Sequence, residues 1–292
     1  MHRTCAPVRP AAPQPQPRRR RRARWSLQRR TVGAVCAAGL VLVGCAEAPS
    51  VDPHAAPEQL TATIVATHPF DRTSFTQGLE LDEDTLWVST GWWGESEVYR
   101  TSIDGHDRTP GVKLPAEQFG EGMTVVGDHL WQLTWKAGTA YRRATDTLEV
   151  VDTATYPGQG WGLCHTDRAL VMSDGTAELR LLDPESFEER SRVTVRAQGT
   201  PVDQLNELDC REEHGRWVVY ANVWKSTDIV RIDLDTGVVT AVVDASGLPN
   251  RAAVDSNNVL NGIAHIAGSD RFLLTGKRWP DLYEVEFTPR HD

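Results

Sequence analysis

The chain has 292 residues, 40% of them hydrophobic and 24% charged, with a formal net charge of −9. That composition excludes collagen-like, disordered and disulfide-scaffold chains and leaves room for one large domain or two small ones. Residues 1–30 hold ten Arg and no acidic residue, so the rest of the chain carries −19. Such an acidic surface repels phosphate backbones, and no nucleic-acid partner is expected.

The leader reads as a targeting device. Arg18 to Arg22, Arg24, Arg29 and Arg30 form a positive segment, and residues 32–44 form an apolar run too short to span a bilayer comfortably. The run ends Leu42-Val43-Gly44-Cys45, which resembles a bacterial lipobox. Residues 1–45 are therefore expected to be a signal peptide, with Cys45 the lipidated first residue of the mature chain. An ordinary signal peptide with an incidental cysteine is the alternative. Residues 46–58, with three Pro and four Ala, read as a flexible tether. The expected location is the outer face of the cytoplasmic membrane, or the medium. Contact with the membrane is expected through the lipid anchor alone, and the protein is expected to be a monomer. In an oxidising compartment Cys164 and Cys210 could pair or remain buried thiols, and sequence alone leaves both open.

Residues 59–292 repeat one phrase five times. Gln77-Gly78-Leu79, Glu121-Gly122-Met123, Trp161-Gly162-Leu163, Asn206-Glu207-Leu208 and Asn261-Gly262-Ile263 each precede a turn and a second apolar run. The spacings are 44, 40, 45 and 55 residues. A third β-branched and aromatic run follows in each unit, at 97–103, 140–144, 177–182, 228–234 and 282–287, and a fourth follows in several. No stretch of the domain shows capped helical periodicity. Four short strands per 40–50 residues, five times over, predict an all-β, five-bladed β-propeller. The last unit lacks a fourth strand, and residues 60–67 are expected to supply it and close the ring.

Inner strands of a propeller line its central channel, so the leading column Gln77, Glu121, Trp161, Asn206 and Asn261 is expected to converge there. Gly after four of the five lets crowded strands approach closely. A second column, at the end of each second strand, adds Trp135, Trp224 and Lys277, with Trp92 and Trp93 in the first unit. Nine of the ten Trp lie beyond the leader. Trp87, Trp131 and Trp217 read as blade-packing core. Trp135, Trp161, Trp224 and Trp279 lie beside Gly, Lys or Asn at strand ends, where indoles line wet pockets, and they are expected there. A lone carboxylate in an indole-walled channel is desolvated, which lifts its pKa toward neutrality and suits it to move a proton. Carboxamides, indole N–H groups and a Lys could stabilise an oxyanion. That set suffices for intramolecular acyl transfer, in which the substrate carries its own nucleophile. No C-x-x-C, H-E-x-x-H or His cluster suggests a zinc site.

Phe75-Thr76-Gln77-Gly78-Leu79, Phe119-Gly120-Glu121-Gly122, Gln132-Leu133-Thr134-Trp135-Lys136 and Gly160-Trp161-Gly162-Leu163 resemble the plant and bacterial glutaminyl-peptide cyclotransferases. So do Met172-Ser173-Asp174-Gly175, Leu205-Asn206-Glu207-Leu208, Ala221-Asn222-Val223-Trp224, Leu260-Asn261-Gly262-Ile263 and Thr275-Gly276-Lys277-Arg278-Trp279. The resemblance implies a five-bladed propeller that converts the N-terminal Gln of a peptide to pyroglutamate with release of ammonia, without a metal. It implies Glu121 as the acid/base residue and places Asn206 and Lys277 around the same pocket, where as oxyanion donors they are expected to be catalytic. It also implies Gln77, Trp135, Trp161 and Trp224 as substrate-binding residues, and the repeat column adds Asn261 to them. No cofactor is expected, and a structural cation in the channel is left open. The insert at 251–257 is expected to be peripheral. Two other readings compete. One is a lactonase-like, metal-dependent hydrolase with Ca²⁺ held by Gln77, Glu121, Asn206 and Asn261. The other is a non-catalytic, lipid-anchored binding module.

Overall fold

The computed structural model describes residues 51–290. The leader, Cys45 and the start of the tether lie outside the described residues. Those residues form strands and turns only, as the β-branched runs and closely spaced turn residues require. Blade I comprises Thr76–Asp82, Thr85–Thr90, Glu97–Thr101 and Val112–Lys113. Blade II comprises Gly120–Val126, His129–Thr134, Thr139–Ala144 and Val150–Thr155. Blade III comprises Leu163–His165, Leu170–Met172, Glu178–Leu182 and Glu189–Thr194. Each is a four-stranded antiparallel meander.

Blades IV and V are joined. Leu205–Glu213, Arg216–Val223, Asp228–Asp233 and Val239–Asp244 make blade IV; Leu260–His265, Arg271–Gly276 and Asp281–Pro289 begin blade V. The missing strand of blade V is the N-terminal Glu58–Pro69, antiparallel to Asp281–Pro289, as the repeat count requires. It does one thing more. Its first four residues pair in parallel with 241–244 of blade IV, fusing two blades into an eight-stranded sheet and covering both outer edges.

Five hydrophobic clusters hold the blades together, one at each interface. Trp87 packs with Met123 and Val125 between blades I and II, and Trp131 with Leu163 and Phe187 between II and III. Trp217 lies against the cluster between III and IV. All three are the blade-packing residues the sequence indicated. Trp279 joins them: it is 3% exposed, in the cluster between blades IV and V, with its indole N–H on the Asn258 carbonyl at 3.1 Å. The expectation that it lines a pocket is corrected, because the turn Gly276–Trp279 folds the indole back onto its own blade. Cys164 and Cys210 form a disulfide between the inner strands of blades III and IV. Closing 46 residues, it contributes about 4 kcal/mol in the chain-entropy account.

The inner strands close a ring. Gly122 N–H donates to the Trp161 carbonyl (2.7 Å), Glu207 accepts Ile263 N–H (2.7 Å), and Asn261 donates to the Thr76 carbonyl (3.0 Å). A Cβ on Gly122 would meet the Trp161 carbonyl oxygen at 2.6 Å, so only glycine permits this approach.

Candidate active site

The leading column sits in β-bulges. In blades I, II, IV and V the ladder between first and second strands slips at one place: between Thr76 and Gly78, Gly120 and Met123, Leu205 and Leu208, and Leu260 and Ile263. The unpaired residues include Gln77, Glu121, Asn206 and Asn261. A bulge releases a residue from strict up-and-down alternation and re-aims its side chain, here at one end of the ring. Polar residues of the second strands hold the bulges across blade boundaries. Ser89 Oγ donates to the Glu121 carbonyl (2.5 Å), Ser173 Oγ to the Asn206 carbonyl (2.7 Å), and Asn222 Oδ1 accepts Gly262 N–H (3.0 Å). Behind Ser89 a buried chain continues through Gln132 to Arg143.

The second column is a repeated turn. Gly91, Trp135, Trp224 and Lys277 each donate their backbone N–H to the residue two before the column, at 2.8, 2.9, 2.8 and 2.9 Å. The residue that follows has positive φ in three of them, Trp92 (106°), Lys225 (62°) and Arg278 (59°). Trp92 is the most strained: a bulky residue rarely adopts that φ. Its carbonyl accepts from Ser96 Oγ (2.7 Å), and that hydroxyl accepts Gly120 N–H (2.9 Å), which ties the Trp92 turn to the strand of Glu121.

Bulges and turns together wall a cavity of about 280 Å³, lined by Gln77, Glu121, Asn206, Lys277, Trp135, Trp161 and Trp224. Seven of the eight residues singled out for catalysis or binding are therefore together. The eighth, Asn261, is not on the wall. Fully buried, it donates to Thr76 O and to Gln77 Oε1 (3.2 Å), so it orients Gln77 rather than touching a ligand. Phe75, Phe119, Trp92 and Trp93 add to the wall. So does Asn257, in the insert expected to be peripheral. That insert is pinned by the Arg251–Asp281 ion pair and by Asn258 Nδ2 on the Ala253 carbonyl (2.8 Å).

Glu121 is 4% exposed, and among the described residues no hydrogen-bond donor reaches its carboxylate. Burial pushes its pKa well above the ordinary carboxylate value, opposed only by the Lys277 charge. Lys277, 5% exposed, is lowered to about 8, again by burial and against the pull of Glu121. Burial thus moves the two pKa values toward each other, which eases proton exchange between such groups and a substrate.

The indoles are fixed by a residue the sequence did not flag. Gln159 Oε1 accepts from Trp135 Nε1 (2.5 Å) and Trp161 Nε1 (3.1 Å). Those two N–H groups are spent on orientation, so the expectation that indoles in general donate to an oxyanion narrows to Trp92, Trp93 and Trp224. Trp161 also stacks on Gly175, where φ is +83° and a Cβ would meet its ring at 2.6 Å. Lys277, Asn206 and the Gln77 amide remain as further donors facing the cavity.

Comparison with known proteins decides the family. The glutamine cyclotransferase family model matches residues 36–287. The chain belongs to the glutamine cyclotransferase family. A glutaminyl-peptide cyclotransferase of Arabidopsis thaliana is 36% identical over 233 residues, covering 76% of this chain and 70% of that relative. A crystal structure of Myxococcus xanthus glutaminyl cyclase superposes with a TM-score of 0.74 at 34% identity, covering 80% of this chain and all of that one. Among the described residues no three or more His, Cys, Asp or Glu are grouped to hold a metal ion.

Proposed function

We propose that this cyclotransferase converts the N-terminal glutamine of peptides or proteins to pyroglutamate in the cavity at the end of the propeller channel, releasing ammonia. The single observation that carries the proton-transfer role is Glu121: buried, free of protein donors, and facing a cavity that also holds Lys277.

The substrate side chain enters between the indoles, which exclude water and fold it toward a five-membered ring. The neutral α-nitrogen attacks the γ-carbonyl carbon, forming the C–N bond of the lactam. Glu121, ionised, takes a proton from that nitrogen and gives it to the departing NH₂ group, so ammonia leaves as the C–N bond of the amide breaks. Negative charge on the former carbonyl oxygen meets Lys277, Asn206 or the Trp224 N–H. Because nucleophile and electrophile belong to one residue, holding the near-attack conformer supplies much of the acceleration.

Incubation of the mature domain with an H-Gln-peptide, with and without a strong chelator, tests the reading. A 17-dalton mass loss that persists under chelation supports it; an unchanged peptide contradicts it. The lipid anchor on Cys45 is part of the same proposal. Intact-mass analysis of membrane-extracted protein checks it, a diacylglyceryl-modified cysteine being the expected N-terminus.

A further inference from the structure

The chain has four lysines, and three of them, Lys136, Lys225 and Lys277, stand in the turns around this cavity. Lys277 lies inside. Lys136 and Lys225 are exposed, over the rings of wall indoles and outside the cavity lining: Lys136 Nζ is 3.9 Å from the Trp135 ring centroid and Lys225 Nζ 4.5 Å from that of Trp224. In the matching turn of blade V, Arg278 lies 4.5 Å over Trp92. Among the described residues none of the three cations is in an ion pair, although the chain beyond the leader carries −19. Most other arginines of the domain are paired with carboxylates, as at Arg180–Glu189 and Arg216–Asp233. The acidic residue of the matching turn of blade III, Asp174, is occupied by Thr176, whose N–H and hydroxyl it accepts at 3.1 and 2.6 Å.

Unpaired cations gathered at one opening of an acidic molecule make a positive collar around the entrance. Stacking on the rings holds them in place without neutralising them. We infer that Lys136, Lys225 and Arg278 form a subsite for carboxylates on the residues that follow the N-terminal glutamine. The inference rests on the cyclotransferase reading and deepens it, naming acidic-following glutaminyl peptides as the preferred substrates. With the glutamine in the cavity and an extended chain rising about 3.3 Å per residue, residues two to four reach the collar. Lys136 and Lys225 are positioning residues for substrate; neither touches the reacting atoms.

Three C-terminally amidated peptides test it: H-Gln-Glu-Glu-Phe-NH₂, H-Gln-Gln-Gln-Phe-NH₂ and H-Gln-Lys-Lys-Phe-NH₂. The wild-type kcat/KM for the glutamate peptide should exceed that of the neutral one roughly 3- to 30-fold, the range for two exposed ion pairs. The difference should lie in KM and shrink with added salt. In K136Q/K225Q the ratio should fall toward one, and in K136E/K225E the order should invert in favour of the lysine peptide. A change of size or packing alone would not invert it. Equal efficiency on all three peptides, or a glutamate preference surviving the charge reversal, overturns the inference. No turnover of any peptide by the wild type, the neutral one included, overturns the cyclotransferase reading instead.

Discussion

Glu121 and Glu207 both occupy bulges of the inner ring, both are buried, and burial drives both pKa values well above the ordinary range. Their surroundings differ. Glu207 accepts Leu79 N–H (3.2 Å) and Ile263 N–H (2.7 Å), joining blade IV to blades I and V. Glu80, on the inner strand of blade I, and Asp209, two residues past Glu207, accept Val125 N–H (3.1 Å) and His265 N–H (2.9 Å) in the same manner. Among the described residues Glu121 has no such partner, and it opens on a cavity. A raised carboxyl pKa therefore does not by itself mark catalysis. An acid whose oxygens are left free for a ligand does, while one satisfied by neighbouring backbone serves as a staple.

Substitutions should separate the two roles. E121Q is expected to lower kcat about 10²- to 10⁴-fold with an unchanged melting temperature, read by ammonia release and thermal unfolding together. E207A should do the reverse. Two buried N–H groups lose their acceptor, so stability should drop by about 2–4 kcal/mol while the folded fraction keeps its kcat. A Glu207 variant that folds normally but loses turnover would break the distinction.

Lys277 sharpens it next. With a pKa of about 8 it loses its charge as pH rises past that value, so activity should fall on the alkaline side. K277R keeps its charge and should move that limb upward, provided the guanidinium is accommodated. K277M should cost roughly 10- to 100-fold in kcat at pH 7. Smaller still, Q159A frees the Trp135 and Trp161 indoles and should raise KM a few-fold with less effect on kcat, measured by steady-state kinetics.

The staples predict the pH dependence of stability. Glu80 at about 8 and Asp209 at about 7 hold protons in the folded state that the unfolded chain releases near pH 4. Their contribution is complete below pH 4 and is lost as pH rises through 7 to 8. Lys277 acts in the opposite sense above pH 8. The melting temperature should thus decline between pH 5 and 8, and E80Q/D209N should flatten that decline.

Much of the fold was legible because a repeat fixes it. The phrase beginning at Gln77 gave five blades, and the gap in the last one pointed to the N-terminal strand. The column Gln77, Glu121, Trp161, Asn206 was legible for the same reason, since equivalent positions in equivalent blades meet at one axis. What the sequence concealed depends on contacts between blades. Asn261 shares the column but swings behind Gln77, and nothing local distinguishes it from Asn206. Trp279 has a Gly and a Lys nearby, as pocket indoles do, yet its turn returns it to the core. Gln159, two residues before Trp161 in a Gly-rich turn, carried no periodic signal. Its role appears only when Trp135 comes from another blade to share its oxygen. Glu207 is the one exception to the glycine that follows the column, but its reach into neighbouring blades shows only in the structure.

Chemical rescue tests the proton-relay claim most directly. E121A, folded and supplied with H-Gln-peptide, should be nearly inactive alone. Formate or acetate filling the vacated space should restore ammonia release in a saturable way, at a rate that follows the pKa of the added acid. An E121A enzyme that turns over at the wild-type rate without any added acid would contradict the account.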